Sequence, residues 1–140
     1  MTILNKGDAE ILGPGVKRHE IVSGETGSDS LSVAEVNVDS DSTVPTHLHP
    51  TEEAMVVTEG QLEAVIGDQI VSVSAGQTVY APAGVKHGFK NISGSKASIL
   101  AIFPTEKSVS PVLVAIITSN QASLENGVPD GMLWPVRLLT

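Results

Sequence analysis

Three of the four histidines in this chain lie in two short segments whose side chains have the types and spacing of metal ligands. The first segment holds His47 and His49, followed by Glu53, and the second holds His87. A His-x-His on an extended strand directs both imidazoles to one face, because side chains alternate with a period of two. Glu53 lies an even number of residues beyond His49, so it returns to that face if the strand continues. Three imidazoles and one carboxylate suit one divalent transition metal, which we predict to be Fe, Mn, Ni, Zn, Co or Cu.

Neighbouring polar residues compete with these ligands or support them. Glu52 is an odd step from His49 and would point away in a regular strand, although a β-bulge would reverse the choice. Asn91 shares the parity of His87, so it either supports a ligand or begins a turn at the end of its strand. The fourth histidine, His19, has no partner at ligand spacing, and we interpret it as a solvated strand residue.

The surroundings of the metal are predicted from the same alternation. Met55, Val57 and Phe89 share the parity of the ligands, so they either line a substrate pocket or simply pack in the interior. The chain has only one Trp, one Tyr and two Phe, and the pocket is therefore expected to be mostly aliphatic, with few hydrogen-bond donors. Tyr80 lies near the second segment and is the candidate catalytic acid or hydrogen-bond donor.

The elements that must position these residues are short strands. The apolar residues are mostly Val, Ile, Leu and Ala, and the β-branched share among them favours strands. Gly67-Asp68 is a two-residue hairpin signal. Pro82-Ala83-Gly84 suits a tight turn, with proline at its second position and glycine at its fourth. Many short strands with evenly spaced turns predict an all-β fold, built as an antiparallel sandwich or barrel.

The 140 residues suit a single domain with three parts. Residues 1–30 are predicted to form an N-terminal arm, with a turn at Gly13-Pro14-Gly15, and a first strand. Residues 31–117 are predicted to form the barrel, whose last strand covers Val112–Ile117. Residues 118–140 lose the strand pattern but hold the only tryptophan, so we predict that this tail packs on the barrel or on a partner subunit.

Composition and charge exclude several classes of partner. A net charge of −8 argues against nucleic acid and anionic membrane surfaces, because phosphate binding needs basic patches. No apolar stretch is long enough to span a membrane, and the first residues do not have the pattern of a signal peptide. A cytoplasmic location is the default expectation. Because the chain has no cysteine, disulfides and thiolate ligands are excluded, which disfavours a purely structural zinc site.

The two segments together resemble the two conserved motifs of the cupin superfamily. The matching residues are His47-x-His49-(x3)-Glu53-(x6)-Gly60 in the first motif and Gly76-(x5)-Pro82-x-Gly84-(x2)-His87-(x3)-Asn91 in the second. The first motif usually opens with a glycine six residues before its first histidine, and this chain has Asp41 there. The resemblance covers about residues 31–117 and implies a small, single-domain, cupin-2-like protein.

The resemblance implies a jelly-roll barrel (a double-stranded β-helix), one metal inside it, and often a homodimer. It also implies that the metal ligands are His47, His49, Glu53 and His87. Four protein ligands on a six-coordinate metal leave two neighbouring positions for water, dioxygen or a small organic substrate. We therefore predict a metal-dependent enzyme, with a dioxygenase, an oxidoreductase, as the first hypothesis. The alternatives are a non-redox isomerase, cyclase or lyase that uses the metal as a Lewis acid, and a non-catalytic module that binds a small ligand or metal.

Overall fold

The computed structural model describes residues 2–107 and 112–113, which form eleven strands and one turn of 3-10 helix at Gly24–Thr26. In chain order the strands are β1 Ala9–Gly13, β2 Val16–Val22, β3 Ser32–Val38, β4 Thr43–Leu48, β5 Glu53–Glu59, β6 Gln61–Ile66, β7 Gln69–Ser74, β8 Thr78–Ala81, β9 His87–Lys90, β10 Ala97–Phe103 and β11 Val112–Leu113. They form a six-stranded sheet in the order β1-β2-β3-β10-β5-β8 and a five-stranded sheet in the order β11-β4-β9-β6-β7. The predicted all-β fold is confirmed.

The apolar core lies in the interior of the barrel and is built from alternate residues of its strands. In β5, for example, Met55 and Val57 are buried, whereas Ala54 and Val56 are partly exposed. This alternation is what the period of two in a pleated strand produces when only one face packs on the core. Alternate positions along a strand therefore face inward whether the residue is apolar or polar. His47, Glu53 and His87 occupy such inward positions.

The N-terminal arm contains a strand that the sequence did not predict. β1 pairs antiparallel with β2, with Ala9 opposite His19, and so extends the six-stranded sheet at its edge. The chain does reverse at Gly13-Pro14-Gly15, as predicted, and Gly15 has a φ of 69°. The strand before this turn is short, and only its last two residues, Leu12 and Gly13, are buried, which leaves little alternation in the sequence to reveal it.

Two turns fix the strands next to the ligand segments. Gly67-Asp68 joins β6 to β7 as the predicted two-residue hairpin, with Ile66 opposite Gln69. The turn after β8 differs from the prediction, because the amide of Val85 donates to the carbonyl of Pro82 at 3.1 Å. Proline therefore occupies the first position of this turn.

Glycine occupies the third position of that same turn. Gly84 has a φ of 76°, a left-handed conformation that favours glycine at the third position of a type II turn. Its amide also donates to the carbonyl oxygen of His49 at 2.9 Å. The turn before His87 is thus bonded directly to the segment that carries another ligand-type histidine.

The predicted strand at 112–117 is described only at Val112–Leu113, whose backbones pair with Leu48 and His47 of β4. The remainder of that strand and the predicted tail at 118–140 lie outside the described residues. Over residues 2–107 and 112–113, no helix is long and apolar enough to cross a membrane.

Candidate metal centre

Four buried ligand-type side chains converge at one end of the barrel. His47 lies near the end of β4 and His49 directly follows that strand, whereas Glu53 begins β5 and His87 begins β9. Each residue offers one nitrogen or oxygen atom, and these atoms all lie within 4.8 Å of one another. The structure therefore brings together all four residues that the sequence predicted as ligands.

Glu53 reaches this cluster by a route that differs from the predicted one. The strand that carries the histidines ends at Leu48, and Glu53 begins a new strand in the opposite, six-stranded sheet. There it lies opposite Ala81 of β8 and is 5% exposed, whereas Glu52 is exposed on the outside. The prediction of Glu53 over Glu52 gives the residue found inside the barrel. The strand does not continue from His49 to Glu53, however, so the condition attached to the alternation argument is not met.

A β-bulge in β4 turns His47 towards the interior. Val44 lies opposite Phe89, and His47 lies opposite His87. Between these pairs β4 has two residues, Pro45-Thr46, whereas β9 has only Gly88. The extra residue of a bulge shifts the alternation of its strand by one position. As a result, Val44 and His47 both face inward although they are three residues apart.

Gly88 is the residue that makes room for this bulge, and its role was not predicted from the sequence. A Cβ at Gly88 would lie 2.8 Å from the carbonyl oxygen of Val44 and 3.0 Å from the amide nitrogen of Thr46. Both contacts are with backbone, which cannot move aside without moving β4. A glycine inside a four-residue strand, next to a ligand-type histidine, is the sequence signal that marks such a close approach.

Backbone carbonyl groups orient two of the three imidazoles. The Nδ1 of His47 lies 2.6 Å from the carbonyl oxygen of Pro45, and the Nδ1 of His87 lies 2.9 Å from that of Val85. In each case the acceptor is two residues before the histidine. We assign the Nδ1–H tautomer to both rings, because a carbonyl oxygen can only accept. In a neutral imidazole that tautomer leaves the lone pair on Nε2.

The carboxylate of Glu53 lies between two imidazoles. Its Oε2 is 2.7 Å from the Nε2 of His87 and 3.1 Å from the Nε2 of His49. His87 therefore faces an acceptor at each ring nitrogen, Val85 on one side and Glu53 on the other. A neutral imidazole has a single N–H, so a second proton or a metal cation at Nε2 is needed to satisfy the carboxylate. The donor set thus fits a bound cation.

Burial and the neighbouring charges shift two ionisations in this cluster. Burial, together with the nearby His87, lowers the pKa of His47 to about 3. Burial alone would raise the pKa of Glu53, but hydrogen bonds from His49 and His87, with their charges, outweigh it and lower that pKa to about 2. At neutral pH the imidazole of His47 is therefore neutral and the carboxylate of Glu53 is ionised, which are the forms that bind metals.

Three buried side-chain atoms of the described residues have no hydrogen-bond partner: the Oγ of Ser32, the Nδ1 of His49 and the Oγ1 of Thr51. Ser32 lies opposite Phe103 in the sheet, and the ring of Phe103 packs edge-on against that of His49 with centroids 4.9 Å apart. Thr51 lies in the connection that joins His49 to β5. All three atoms therefore surround the same end of the barrel. Buried polar atoms are rarely left unpaired unless a ligand or water meets them.

Tyr80 does not lie in the cluster. Its side chain is 55% exposed, and its hydroxyl donates to the carboxylate of Glu52 at 2.7 Å. In the sheet it lies opposite Ala54, whereas the adjacent Ala81 faces the interior opposite Glu53. The predicted role of Tyr80 as catalytic acid or donor does not fit this placement on the outer surface. Its hydroxyl pKa is raised through the bond to Glu52, an effect of a surface pair.

The three predicted pocket residues are buried in the apolar core. Met55 and Val57 follow Glu53 on the inner face of β5, and Phe89 follows His87 on β9 in the same way. Met55 and Phe89 are each the next inward residue after a ligand-type side chain, and Val57 is the second. All three therefore lie deeper in the barrel than the ligand-type side chains. Contact of these side chains with a substrate stays a prediction.

Asn91 anchors a turn, one of the two roles considered for it. Its Nδ2 donates to the carbonyl oxygens of Val38 and Ser95 at 2.9 and 2.8 Å. Its Oδ1 accepts from the amide and the hydroxyl of Ser93 at 3.0 and 2.7 Å. All of these partners belong to the end of β3 and to the turn after β9.

His19 lies away from the cluster. It is on β2, in the sheet that does not contain β4 and β9, and its Nδ1 is bonded to the carbonyl oxygen of Gly7 at 2.9 Å.

Comparisons with known proteins identify the family. The model of the family described as "Cupin domain" matches residues 34–103, half of the chain, and the chain therefore belongs to the cupin family. No curated protein matches the chain. The polyketide cyclase RemF from Streptomyces resistomycificus has a similar structure, with a TM-score of 0.65 and 21% identity over 86% of this chain and 87% of that one.

Two further similar structures are from longer chains. A variant of the Bacillus subtilis oxalate decarboxylase OxdC matches with a TM-score of 0.70 and 22% identity, over 86% of this chain and 35% of the other. An oxalate oxidase matches with a TM-score of 0.59 and 26% identity, over 68% of this chain and 54% of the other. These likenesses, together with the family match, confirm the predicted jelly-roll barrel of cupin type.

Proposed function

We propose that this chain is a metal-dependent enzyme for a small organic substrate, with one divalent transition metal bound by His47, His49, Glu53 and His87. The observation that carries the proposal is the convergence of these four side chains, all buried, with ligand atoms within 4.8 Å of one another. Three imidazoles and a carboxylate lose their hydration there, which is unfavourable unless each meets a partner. A cation among them supplies that partner to all four.

The rest of the site supports the same proposal. The carbonyl groups of Pro45 and Val85 hold two imidazoles in the tautomer whose Nε2 can bind a metal. The ring of Phe103 packs edge-on against one side of His49. A metal bound by four protein ligands would supply open positions for substrate and dioxygen, or would polarise a substrate carbonyl as a Lewis acid. The unpaired hydroxyl of Ser32, opposite Phe103, provides a buried hydrogen-bond group for a substrate oxygen.

Oxidative chemistry, with a dioxygenase as the first candidate, is the leading activity. The site has the ligand types of a redox-capable metal and no thiolate that would close it as a structural zinc site. An oxalate oxidase is among the proteins of similar structure. The substrate class proposed here is a small molecule with several oxygen atoms, because such a molecule can chelate a metal and also meet the Ser32 hydroxyl.

A non-redox cyclase or lyase is the second candidate, and a specific observation favours it. The polyketide cyclase RemF resembles this chain over nearly the full length of both proteins, whereas the oxalate enzymes are longer. The homodimer and the cytoplasmic location expected from the sequence stay predictions for either candidate.

The metal is tested with a matched pair of neighbouring carboxylates. Glu53→Gln keeps the size of the side chain but removes its negative charge, so the affinity of the protein for the metal should fall at least about 100-fold. Glu52→Gln makes the same change on the exposed side of the barrel and should leave one metal per chain. Metal content after purification and competition against a chelator measure both. Full occupancy in the Glu53→Gln protein contradicts the site.

The activity is tested by oxygen consumption. Purified protein, loaded separately with iron, manganese, nickel or zinc, is incubated with catechols, thiols, diketones and sugar acids in an oxygen electrode. Oxygen uptake with iron or manganese supports the oxidative enzyme. Product formation without oxygen, with zinc or nickel as well, supports the cyclase or lyase. A metal-loaded protein that turns over none of these substrates under either condition contradicts the proposed enzyme and favours a binding module.

A further inference from the structure

His49 differs from the other two imidazoles in the surroundings of its Nδ1. The Nδ1 atoms of His47 and His87 both bond to the carbonyl group two residues earlier. The residue two before His49 is His47, and no such bond forms. Within the described residues the Nδ1 of His49 is buried and has no hydrogen-bond partner. A metal-binding histidine almost always donates its other ring N–H to an acceptor, which fixes the tautomer and the orientation of the ring.

Thr51 offers the missing acceptor. Its Oγ1 is also buried without a hydrogen-bond partner in the described part of the chain, and it lies two residues after His49. Two residues of extended chain separate Cα atoms by at most about 7 Å. A single water bonded to both atoms spans at most roughly 5.6 Å, twice a hydrogen-bond length. The spacing of two residues therefore permits the two unpaired atoms to lie within reach of one water.

We propose that Thr51 is a positioning residue for His49 and acts through one bridging water. The Nδ1–H of His49 donates to the water, and the water donates to the Oγ1 of Thr51. This link holds the Nε2 lone pair of His49 towards Glu53, whose Oε2 is 3.1 Å away. The inference rests on the proposed metal site, because the link has a purpose only if Nε2 binds a metal. It would give all three imidazoles an acceptor at Nδ1.

The test compares variants that remove or keep one hydroxyl group. Thr51→Val has nearly the same shape as threonine but lacks the hydroxyl, and Thr51→Ala is a second variant in case valine disturbs the fold. Thr51→Ser keeps the hydroxyl. Thr58→Val is the matched control, because it also removes a threonine hydroxyl, one that donates to the carbonyl of Ser98. Thr58 and Ser98 lie on β5 and β10 of the six-stranded sheet, whereas β4 belongs to the five-stranded sheet. Each protein is stripped of metal and titrated with Zn²⁺ against a chelator.

The expected result is a specific loss of zinc affinity. Thr51→Val and Thr51→Ala should bind Zn²⁺ about 10- to 100-fold more weakly than the wild type. Thr51→Ser should remain within about 3-fold of the wild type, and Thr58→Val should match the wild type. In ¹⁵N NMR spectra of the zinc-loaded protein, the Nδ1–H of His49 should be protected from exchange in the wild type and Thr51→Ser, and exchange rapidly in Thr51→Val.

Three outcomes overturn the inference. If the wild type binds Zn²⁺ and both hydroxyl-free variants at Thr51 bind it equally well, Thr51 has no positioning role, while the metal site stands. If Thr51→Ser is as weak as Thr51→Val, the effect comes from packing and not from the hydroxyl. If the wild type itself binds no metal, the proposed function fails, and the role of Thr51 fails with it.

Discussion

The carbonyl oxygen of Val44 approaches Gly88 so closely that a Cβ at Gly88 would lie 2.8 Å from it. This contact joins the β-bulge of β4 to the strand that begins with His87. Because the bulge is what turns His47 inward, the position of one ligand-type histidine depends on the absence of a side chain next to another. Gly88 therefore affects the site without offering a ligand atom.

Replacing Gly88 with alanine should displace β4. The new methyl group would meet backbone atoms of Val44 and Thr46 at 2.8 to 3.0 Å, and overpacking of this kind costs about 1 to 3 kcal/mol of folding stability. Zinc affinity should fall as well, because His47 moves with the strand. Gly94→Ala is the control, since a Cβ there meets no atom within 4 Å. Denaturant unfolding and zinc titration measure both effects, and equal behaviour of the two variants would contradict the role of the bulge.

Asn91→Ala should destabilise the protein and leave the metal site intact. The substitution removes the side chain that joins the end of β3 to the turn after β9 and leaves the carbonyl of Val38 without this donor. Loss of several buried hydrogen bonds predicts a decrease of about 2 to 4 kcal/mol in unfolding free energy. At a temperature where the variant is folded, zinc should bind as in the wild type. Weakened zinc binding with unchanged stability would instead indicate that Asn91 supports a ligand.

Asp41→Gly should stabilise the protein relative to Asp41→Ala. Asp41 has a φ of 61°, a left-handed conformation that costs an alanine about 1 to 2 kcal/mol and glycine almost nothing. Glycine, which usually stands at this position of the motif that the chain resembles, adopts this conformation freely. The same two substitutions at Asp68, which does not have a positive φ, form the control. There alanine should be at least as stable as glycine, and the same ranking at Asp41 would be inconsistent with backbone strain.

The sequence predicts the identity of the cluster better than the way it is assembled. Side-chain alternation suffices to put His47 and His49 on one face, because their separation of two lies within one extended segment. The same alternation selects Glu53, but that residue reaches the site from the other sheet. Its inward orientation follows from pairing with β8, a contact between distant parts of the chain that no local pattern specifies.

The bulge and the orientation of Tyr80 are also products of long-range pairing. Pro45 cannot donate a ladder hydrogen bond and is a local sign of a bulge, but the extra residue is accommodated because Gly88 lies across from it. Tyr80 is close to the second motif in sequence, but Ala81 occupies the inward position beside Glu53, and the tyrosine is left outside. A one-residue change in register would have exchanged the two.

Tyr80→Phe should leave metal binding and turnover within about 2-fold of the wild type, a change of less than 0.5 kcal/mol. The hydroxyl that it removes bonds only to the exposed Glu52, as far as the described residues show, and exposed polar pairs contribute little to stability. Steady-state kinetics on the substrate found by the oxygen-uptake assay, together with thermal unfolding, measure the effect. Turnover slowed by about 10-fold or more would restore Tyr80 as a catalytic residue.

The stability of the metal-free protein should fall as the pH is lowered. In the unfolded chain His47 has its ordinary pKa of 6.5, and in the folded protein burial lowers this to about 3. Glu53 likewise falls from 4.5 to about 2, because the bonds from His49 and His87 outweigh the effect of burial. At pH values between the folded and unfolded pKa of each group, the unfolded chain binds more protons, so the unfolding free energy decreases with falling pH.

The slope identifies the group that is responsible. From pH 6.5 down towards 4.5 the contribution of His47 should approach about 1.4 kcal/mol per pH unit, and Glu53 adds to it only below about pH 4.5. In the His47→Gln protein, position 47 carries no titrating group. The plot of unfolding free energy against pH should therefore be flatter between pH 4.5 and 6.5 than that of the wild type. If the profile of the His47→Gln protein runs parallel to that of the wild type, the imidazole of His47 is not held neutral by burial.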